Sequence, residues 1–451
     1  MKLTPYPTQL SGANFLANNR YALLADEPRV GKTGAAIIAC DYNLHEKVLV
    51  VTTASGRAVW RRAFAEWSAF NLQTQVLSGE AELSGSVPRV IVSWSGAAQP
   101  KTAVQLLKRK WDRVILDESH FAKVFSAKRT QAVFGSLAEG GALIGDKSVA
   151  ASASGVWCLS GTPMPNSPFD LYPMMRALCP ERLKSAHSKG WPDVTDEADF
   201  QRRYCIVRMK QLPRGFRKIP VIIGGRNQEE LAARLEGFVL RRTQKQVGIK
   251  EPIFETLPLI SKFSDSDLDQ SQYEIYEAAL NGATKDLETE LGPLRRHTGS
   301  IKAKAVVELV HEELESGLDK IVLAYWHRET GEILRDGLAK YGLLQVDGST
   351  PARNRETAEQ QFLNDPKARV FLGQIVASGE AIDLSSSAEL IFVESSFTPK
   401  DMKQMALRIT NHTQKRRPRV RVAVLQGSID EAIGEILMRK WTTIKEVLDD
   451  R

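Results

Sequence analysis

A chain of 451 residues exceeds one ordinary hydrophobic core, so two or three domains are expected. With 43% hydrophobic and 25% charged residues, no apolar run near the ~18 residues of a membrane span and no signal-peptide core in MKLTPYPTQLSG, the composition describes a soluble globular protein and excludes a membrane span. The net charge of +7 is unevenly spread: residues 1–260 carry 35 Lys+Arg against 23 Asp+Glu, residues 261–400 carry 15 against 24, and residues 401–451 carry 11 against 7. A basic first part and tail around an acidic body suit a polyanion touching selected surfaces, although a solvated basic face would look the same. Cys40, Cys158, Cys179 and Cys205 lie far apart with no CxxC pair. That argues against a zinc site or a disulfide framework, and for buried free thiols in a reducing, intracellular setting.

Tyr6-Pro7-Thr8-Gln9 precedes a short helical pattern (Leu10, Phe15, Leu16). The Gln9 amide can both donate to and accept from an adenine edge, and an exposed glutamine fits the same residues. An apolar segment, Tyr21–Ala25, then runs through Asp26-Glu27-Pro28-Arg29-Val30-Gly31-Lys32-Thr33 into an Ala/Ile-rich helix ending near Cys40. Gly31-Lys32-Thr33 is the closing half of a phosphate loop. Backbone N–H groups at the helix start face the phosphates, Lys32 reaches the β/γ-phosphates, and the Thr33 hydroxyl is placed for Mg²⁺. Asp26 stands where the general pattern opens with glycine; a plain helix N-terminus with a surface lysine is the alternative.

Lys47–Thr53 reads as a buried parallel strand and Gly56–Trp67 as an amphipathic helix with a core stripe of Trp60, Phe64 and Trp67. Arg89–Trp94 is the next strand, a helix surrounds Val104–Lys108, and Trp111–Asp117 is a strand closing on Asp117-Glu118-Ser119-His120. Asp117 suits the Mg²⁺ shell and Glu118 the attacking water, since both close a buried-type strand downstream of the phosphate loop. Residues 126–137 read as helix and 139–154 as a mobile loop. A strand, the turn Ser160-Gly161-Thr162-Pro163 and a helix from about Phe169 follow. This strand–helix rhythm predicts a doubly wound α/β domain with its ligand site at the carboxyl ends of the strands.

ADEPRVGKT, VILDESH and LSGTPMPNSPFDLYPMM resemble motifs I, II and III of superfamily 2 helicases, and more narrowly of the SWI/SNF-type (sucrose-non-fermenting) DNA-dependent ATPases. VVTTASGRAVWRRAFAEW is similar to motif Ia of that family, GRNQEELAARLEGFVLRRTQKQV to the stretch between its lobes, QIVASGEAIDL to motif V and FTPKDMKQMALRITNHTQ to motif VI. The resemblance covers nearly the whole chain and is closest to the compact annealing-helicase branch with its viral and bacterial relatives. It implies two tandem RecA-like parallel-sheet lobes, residues 1–175 and 261–427. A basic helical protrusion and linker (176–260) would stand between them, and a packing helix (428–451) would close the chain. Strands of the second lobe are expected at Lys320–Glu329, Leu343–Thr350, Ala368–Ile375, Ala388–Ser395 and Arg419–Gln426, and a helix at SQYEIYEAALNGATKDL.

The resemblance further implies catalytic roles for Lys32, Glu118 and Arg408, and ATP contacts from Gln9, from Asp26, Glu27, Pro28, Arg29, Val30, Gly31, Lys32 and Thr33, and from Gly379 and Arg408. Thr33 and Asp117 would hold Mg²⁺. Ser160, Gly161, Thr162 and Gln404 would couple nucleotide state to lobe geometry, with Lys32 and Arg408 facing one nucleotide. Nucleic-acid contacts would come from Thr53, Ser93, Arg241, Arg242, His327, Arg328 and Ser378; a solvated loop or an inter-lobe contact is the alternative for Arg241 and Arg242. Motif VI keeps Gln404, Arg408 and Gln414, but Asn411 replaces the second arginine and Thr413 the glycine. Losing that arginine finger can cost ~10³–10⁵ in rate. Three readings stay open: Arg408 acts alone with slow turnover, Arg416 or Arg417 substitutes, or hydrolysis is lost while ATP and DNA binding persist.

The implied activity is an ATP-hydrolysing translocase on duplex or branched DNA that remodels or reanneals rather than processively unwinds, with a place in DNA repair or recombination. A strand-separating DNA or RNA helicase and a nucleotide-gated DNA-binding scaffold are the alternatives. The protein is expected to be monomeric and cytoplasmic, nucleoid-associated in use, with a recruiting protein as a further partner and no membrane.

Overall fold

The computed structural model describes residues 3–79, 81–138, 142–164, 167–186, 189–211, 218–260, 287–375, 382–396, 399–412, 414, 416–428 and 430–431. The chain divides into two compact units, Met1–Val247 and Gly248–Arg451.

In the first unit seven strands form one parallel sheet: β1 (Tyr21–Leu24), β2 (Val48–Thr52), β3 (Thr74–Val76), β4 (Arg89–Ser93), β5 (Arg113–Asp117), β8 (Val156–Leu159) and β11 (Val239–Leu240). Their order across the sheet is β11-β1-β8-β5-β2-β4-β3. A short antiparallel pair, β6 (Ser136–Leu137) and β7 (Leu143–Ile144), lies outside it. Leu143–Ile144 and the buried Val149 give structure to part of the stretch expected as a mobile loop. Nearly every residue of β1, β2, β4, β5 and β8 is buried, as befits continuous Val/Ile/Leu runs covered on both faces. Helices α1 (Pro7–Ala17), α2 (Lys32–Tyr42) and α3 (Gly56–Trp67) cover one face. There Leu24, Ile37, Ile38, Trp60, Phe64, Ile115 and Trp157 share a core. All four cysteines are free and buried, and burial pushes the Cys40 thiol up to about 12.

The stretch expected as a separate helical protrusion and linker is divided differently. Helices Glu197–Tyr204 and Gln228–Leu235 do form, but between them lies an antiparallel ribbon of β9 (Cys205–Gln211) and β10 (Lys218–Gly225). Its β-branched residues (Ile206, Val207, Ile219, Val221, Ile222, Ile223) favour extended backbone, whereas the resemblance implied a helical protrusion here. β11 then joins the edge of the first sheet, so the first unit runs on to Val247.

The second unit is a six-stranded parallel sheet of β12 (Ile253–Leu259), β13 (Ile321–Tyr325), β14 (Leu344–Val346), β15 (Val370–Gln374), β16 (Glu389–Phe392) and β17 (Arg419–Leu425), in the order β12-β17-β16-β13-β15-β14. Five of these were expected from sequence. β12 had been read as linker; it pairs with β17 along its length, from Ile253–Arg419 to Leu259–Leu425. All of β12 but Leu259 is half-exposed or exposed, so it lacks the buried-strand signal that marks β13. The expected helix at 271–287 lies, but for Leu287, outside the described residues, as does the C-terminal helix apart from Ser428, Asp430 and Glu431. No described helix is long and apolar enough to cross a membrane.

Candidate nucleotide site and motor motifs

Three neighbouring strands, β1, β8 and β5, carry the expected motifs at their carboxyl ends. Leu24 pairs with Leu159, and Leu159 with Asp117. The phosphate loop, the Ser160 turn and the acidic pair therefore leave the sheet side by side, with the Ser160 turn in the middle. Residues separated by more than 130 positions in sequence meet only because β8 inserts between β1 and β5.

The phosphate loop is tightly wound. Gly31 has φ 104°, and Arg29 also takes a left-handed conformation, φ 71°. Gly31 is needed twice over: for its positive φ, and because a Cβ there would stand 2.6 Å from Gln9 Cγ. Lys32 opens α2, and its ammonium donates to the carbonyls of Asp26 (2.7 Å) and Glu27 (3.2 Å), so the loop holds the cation over its own backbone. Gln9 is buried against Gly31 and Gly34, with its Oε1 accepting the Tyr6 amide at 2.9 Å. It lies at the helix start, where a base-reading residue was expected.

Arg241 and Arg242, expected among the nucleic-acid contacts, are engaged in shaping this loop. Arg242 donates to both carboxylate oxygens of the fully buried Asp26 (Nε to Oδ1 3.0 Å) and to the Thr8 carbonyl at 2.6 Å. Arg241 donates to Ala25 O at 3.2 Å. Two residues on, the Gln244 amide donates to Glu27 Oε2 (2.8 Å) and its side chain to Pro28 O (2.8 Å). Asp26 is thus a charged partner for a clamp, which accounts for a carboxylate where other phosphate loops open with glycine. The signal in the sequence was a charge pair 216 residues apart, which spacing does not reveal.

Asp117 ends β5 and is half-buried. Its Oδ2 accepts from Thr52 Oγ1 (2.7 Å) and from the Trp60 indole (2.9 Å), and its carbonyl accepts from the Trp94 indole (2.9 Å). Burial and then the adjacent Glu118 carboxylate push Asp117 above the ordinary carboxylate range, against the pull of its two hydrogen bonds and of Lys32. A hard divalent cation is the group that would stabilise such an anion. With the Thr33 hydroxyl in the first turn of α2, these oxygen donors fit Mg²⁺ carried by a phosphate substrate. Sequence reading placed Trp60 in the core, which it is; that its N–H also orients Asp117 was not foreseen.

Glu118 follows with φ 50° and ψ 50°, a left-handed conformation unusual for glutamate. Its Oε2 lies 3.3 Å from His120 Nδ1, which is 2.9 Å from Ser160 Oγ, and Ser160 Oγ in turn accepts the Thr162 amide at 3.2 Å. A continuous polar chain therefore joins the expected base to the turn between the strands. Gly161 packs against Pro28: a Cβ there would stand 3.0 Å from Pro28 Cδ, so the turn also touches the phosphate loop. Of two further candidates, Ser93 caps the short helix Trp94–Ala97, its Oγ accepting the Gly96 amide at 3.0 Å, and Thr53, ahead of α3, has its Oγ1 accepting the Gly56 amide at 3.0 Å.

In the second unit, Glu394 is buried and accepts the amides of Trp326 and His327, both at 2.8 Å, as well as the His327 ring. Burial opposes its ionisation, but the His327 ring and these amides outweigh that and hold its carboxyl below the usual range. His327 is thereby fixed at the start of the helix Arg328–Leu338. Arg328 is exposed and paired with Glu332 at 3.1 Å. Gln404 lies in the helix Pro399–Ala406, and Arg408 in the turn Leu407–Ile409, half-buried, with its carbonyl accepting the Leu384 amide at 3.1 Å. Asn411 Nδ2 donates to Ser385 Oγ at 2.6 Å, and Gln414 Nε2 to the carbonyls of Ser385 (3.0 Å) and Ser387 (3.1 Å). Where an arginine was expected, Asn411 fastens motif VI to the Ser385–Ser387 turn. Ser378, Gly379 and Thr413 lie outside the described residues. Among the described residues no group of three or more His, Cys, Asp or Glu could hold a metal by itself.

Two parallel α/β sheets, the first with phosphate loop, acidic pair and Ser-Gly-Thr turn on adjacent strand ends, define a chain of two RecA-like lobes of the kind found in nucleotide-driven motors. Residues 9–312, more than half of the chain, match the SNF2-related domain, and the chain belongs to that family. It is 25% identical over 455 residues to the SWI/SNF-related matrix-associated actin-dependent regulator of chromatin subfamily A-like protein 1 of Xenopus tropicalis, covering 96% of this chain and 44% of that protein. It is 24% identical over 466 residues to the DNA annealing helicase and endonuclease ZRANB3 of Bos taurus, covering 100% of this chain and 41% of that protein. The chain spans less than half the length of these relatives. Among solved structures it is similar to the Sulfolobus solfataricus SWI2/SNF2 ATPase core in complex with dsDNA, with 19% identity, a TM-score of 0.44 and coverage of 99% and 93% of the two chains.

Proposed function

We propose that the chain is an ATP-hydrolysing motor that travels on duplex or branched DNA and remodels or reanneals it. The observation that carries this reading is the register of β1, β8 and β5, which gathers Lys32, Ser160, Asp117 and Glu118 at the carboxyl ends of neighbouring strands of one sheet. Membership of the SNF2-related family and likeness to a named DNA annealing helicase support DNA as the track.

ATP is the substrate. Lys32 exchanges the Asp26 and Glu27 carbonyls for phosphate oxygens, and the amides that open α2 add their dipoles. Mg²⁺, when bound, neutralises phosphate charge; Thr33 and Asp117 would hold it. Glu118 accepts the proton of the attacking water, and the His120–Ser160–Thr162 chain reports its state to the turn beside Pro28. Contacts with DNA go chiefly to phosphates, which fix position without reading sequence.

Phosphate release by purified protein with Mg²⁺, ATP and duplex DNA tests the reading; activity no higher than that of a Lys32→Ala control would sink it. A second reading, a nucleotide-gated DNA-binding scaffold, is favoured by Asn411, which stands at the sequence position of the expected finger and donates to Ser385. DNA affinity that responds to ATP analogues without turnover would identify it. An Asn411→Arg variant that gains turnover would assign the deficit to that position. The contribution of Arg408 is tested by Arg408→Ala, expected to lower turnover with little change in ATP affinity.

A further inference from the structure

Two tryptophans behind the acidic pair do more than fill the core. Across the first sheet the strands run β1-β8-β5-β2-β4. Asp117, at the end of β5, therefore stands between two pairs of turns: those after β1 and β8, which carry the nucleotide motifs, and those after β2 and β4. Among the described residues three side chains donate to Asp117, and all three come from the second pair. Thr52 Oγ1 (2.7 Å) and the Trp60 indole (2.9 Å) both fall on Oδ2, and the Trp94 indole (2.9 Å) reaches the carbonyl.

A buried indole N–H needs an acceptor, and a backbone carbonyl is the ordinary one. Trp111 uses Leu106 O (3.0 Å) and Trp157 uses Asn19 O (2.8 Å) in this way. Trp60, 1% exposed, instead takes the carboxylate that ends β5. Such a bond to an anion is stronger than one to a carbonyl, and with Thr52 it fixes the plane of the carboxylate.

Each donor is also tied to its turn. Gly56, the first residue of α3, packs so closely that a Cβ there would collide with Thr52 Oγ1, and its amide donates to Thr53 Oγ1 at 3.0 Å. A shift of the Thr53 turn therefore carries Thr52 and the Trp60 helix with it. Trp94 directly follows Ser93 and stacks on Phe121 (ring centroids 6.2 Å, 17° between planes), whose amide donates to Glu118 O at 2.9 Å. The outer residues of these turns suit a polyanion. Thr53, Ser55 and Ser95 are half-buried or exposed hydroxyls, and α3 carries Arg57, Arg61 and Arg62 against one acid, Glu66.

We propose that Thr52, Trp60 and Trp94 are positioning residues that act through Asp117: they set its carboxylate for Mg²⁺ and make that setting answer to DNA phosphates held at the turns after β2 and β4. The proposal rests on the motor reading above and deepens it by naming the contacts through which the track would stimulate hydrolysis.

The test uses the full chain and three changes that delete a donor while keeping its shape. These are Thr52→Val, Trp60→3-benzothienylalanine and Trp94→3-benzothienylalanine, the last two with sulfur in place of the indole N–H. Thr52→Ser, which keeps the hydroxyl, is the rescue control. Two quantities are read: the Mg²⁺ concentration that half-saturates binding of methylanthraniloyl-ADP, without turnover, and the ratio of kcat with saturating duplex DNA to kcat without DNA. Thr52→Val and the Trp60 variant should each raise half-saturating Mg²⁺ about tenfold, and Thr52→Ser should stay within about twofold of the parent. All three deletions should lower the kcat ratio at least about fivefold, with the DNA concentration for half-stimulation within about twofold of the parent. Tryptophans and a threonine that only hold the fold together would lower kcat equally with and without DNA. An unchanged Mg²⁺ requirement in both carboxylate variants, or an unchanged kcat ratio in all three, overturns the proposal. If DNA stimulates no hydrolysis in the parent chain, the motor reading fails, while the Mg²⁺ titration still decides whether these donors position Asp117.

Discussion

Asp117 shows how one residue can be costly for the fold and necessary for the chemistry. Burial and the neighbouring Glu118 hold its carboxyl above the ordinary range, so the folded state binds this proton more tightly than the unfolded chain. Such a group costs nothing below its unfolded pKa and destabilises increasingly as pH rises from there through its raised folded value. The Asp117→Asn protein, whose amide oxygen can still accept from Thr52 and Trp60, should therefore melt at an equal or higher temperature than the parent. The difference should shrink towards acid pH and widen as pH rises, while phosphate release falls at least about a hundredfold. Thermal melts of both proteins across pH decide this; a gap that widens towards acid would refute it. Asp26 is buried too, but is paired with Arg242. Arg242→Ala would leave it unpaired and should cost about 3–5 kcal/mol in chemical denaturation, with Arg242→Lys intermediate.

At the scale of elements, the turn after β8 is held from both sides, by Pro28 of the phosphate loop and by His120 beyond β5. Since His120 and Ser160 share one hydrogen bond, the losses from His120→Ala and Ser160→Ala should overlap. A double-mutant cycle in thermal stability or turnover should give a coupling of about 0.5–3 kcal/mol, and simple additivity would mean that the chain of contacts carries nothing. Gly161→Ala presses a methyl onto Pro28 and should weaken ATP binding at a stability cost of about 1–3 kcal/mol, read by nucleotide titration and melting together. Motif VI differs in kind. Asn411 and Gln414 tie it to the Ser385–Ser387 turn, so this region is fastened by neutral hydrogen bonds where its resemblance implied a second guanidinium.

At the scale of the whole chain, each unit has cores and a parallel sheet of its own, and the boundary falls just after Val247. β11 closes the first sheet and β12 lies at the edge of the second. A fragment of residues 1–247 should therefore unfold in one cooperative transition, whereas a fragment ending at residue 235, which removes β11 and the Arg242 clamp, should not. Circular dichroism melts of the two fragments check this. If both melt alike, β11 is not part of the cooperative unit.

Local pattern in the sequence determined a good deal. Buried parallel strands are continuous apolar runs, so β1, β2, β4, β5, β8 and most of the second sheet were legible, and the Gly31-Lys32-Thr33 turn and Asp117-Glu118 pair declared their chemistry by sitting at strand ends. What tertiary structure alone decided are pairings between residues far apart in the chain: Arg242 with Asp26, Trp60 with Asp117, His120 with Ser160, and Asn411 with Ser385. It also decided which short, half-exposed segments would be strands, since β11, β12 and the β9–β10 ribbon owe their extended form to partners across a sheet. The reason is physical. A run of side chains records whether a segment will be buried, but the partner of a buried charge or an edge strand is chosen by strand order, and strand order is settled only when the sheet closes.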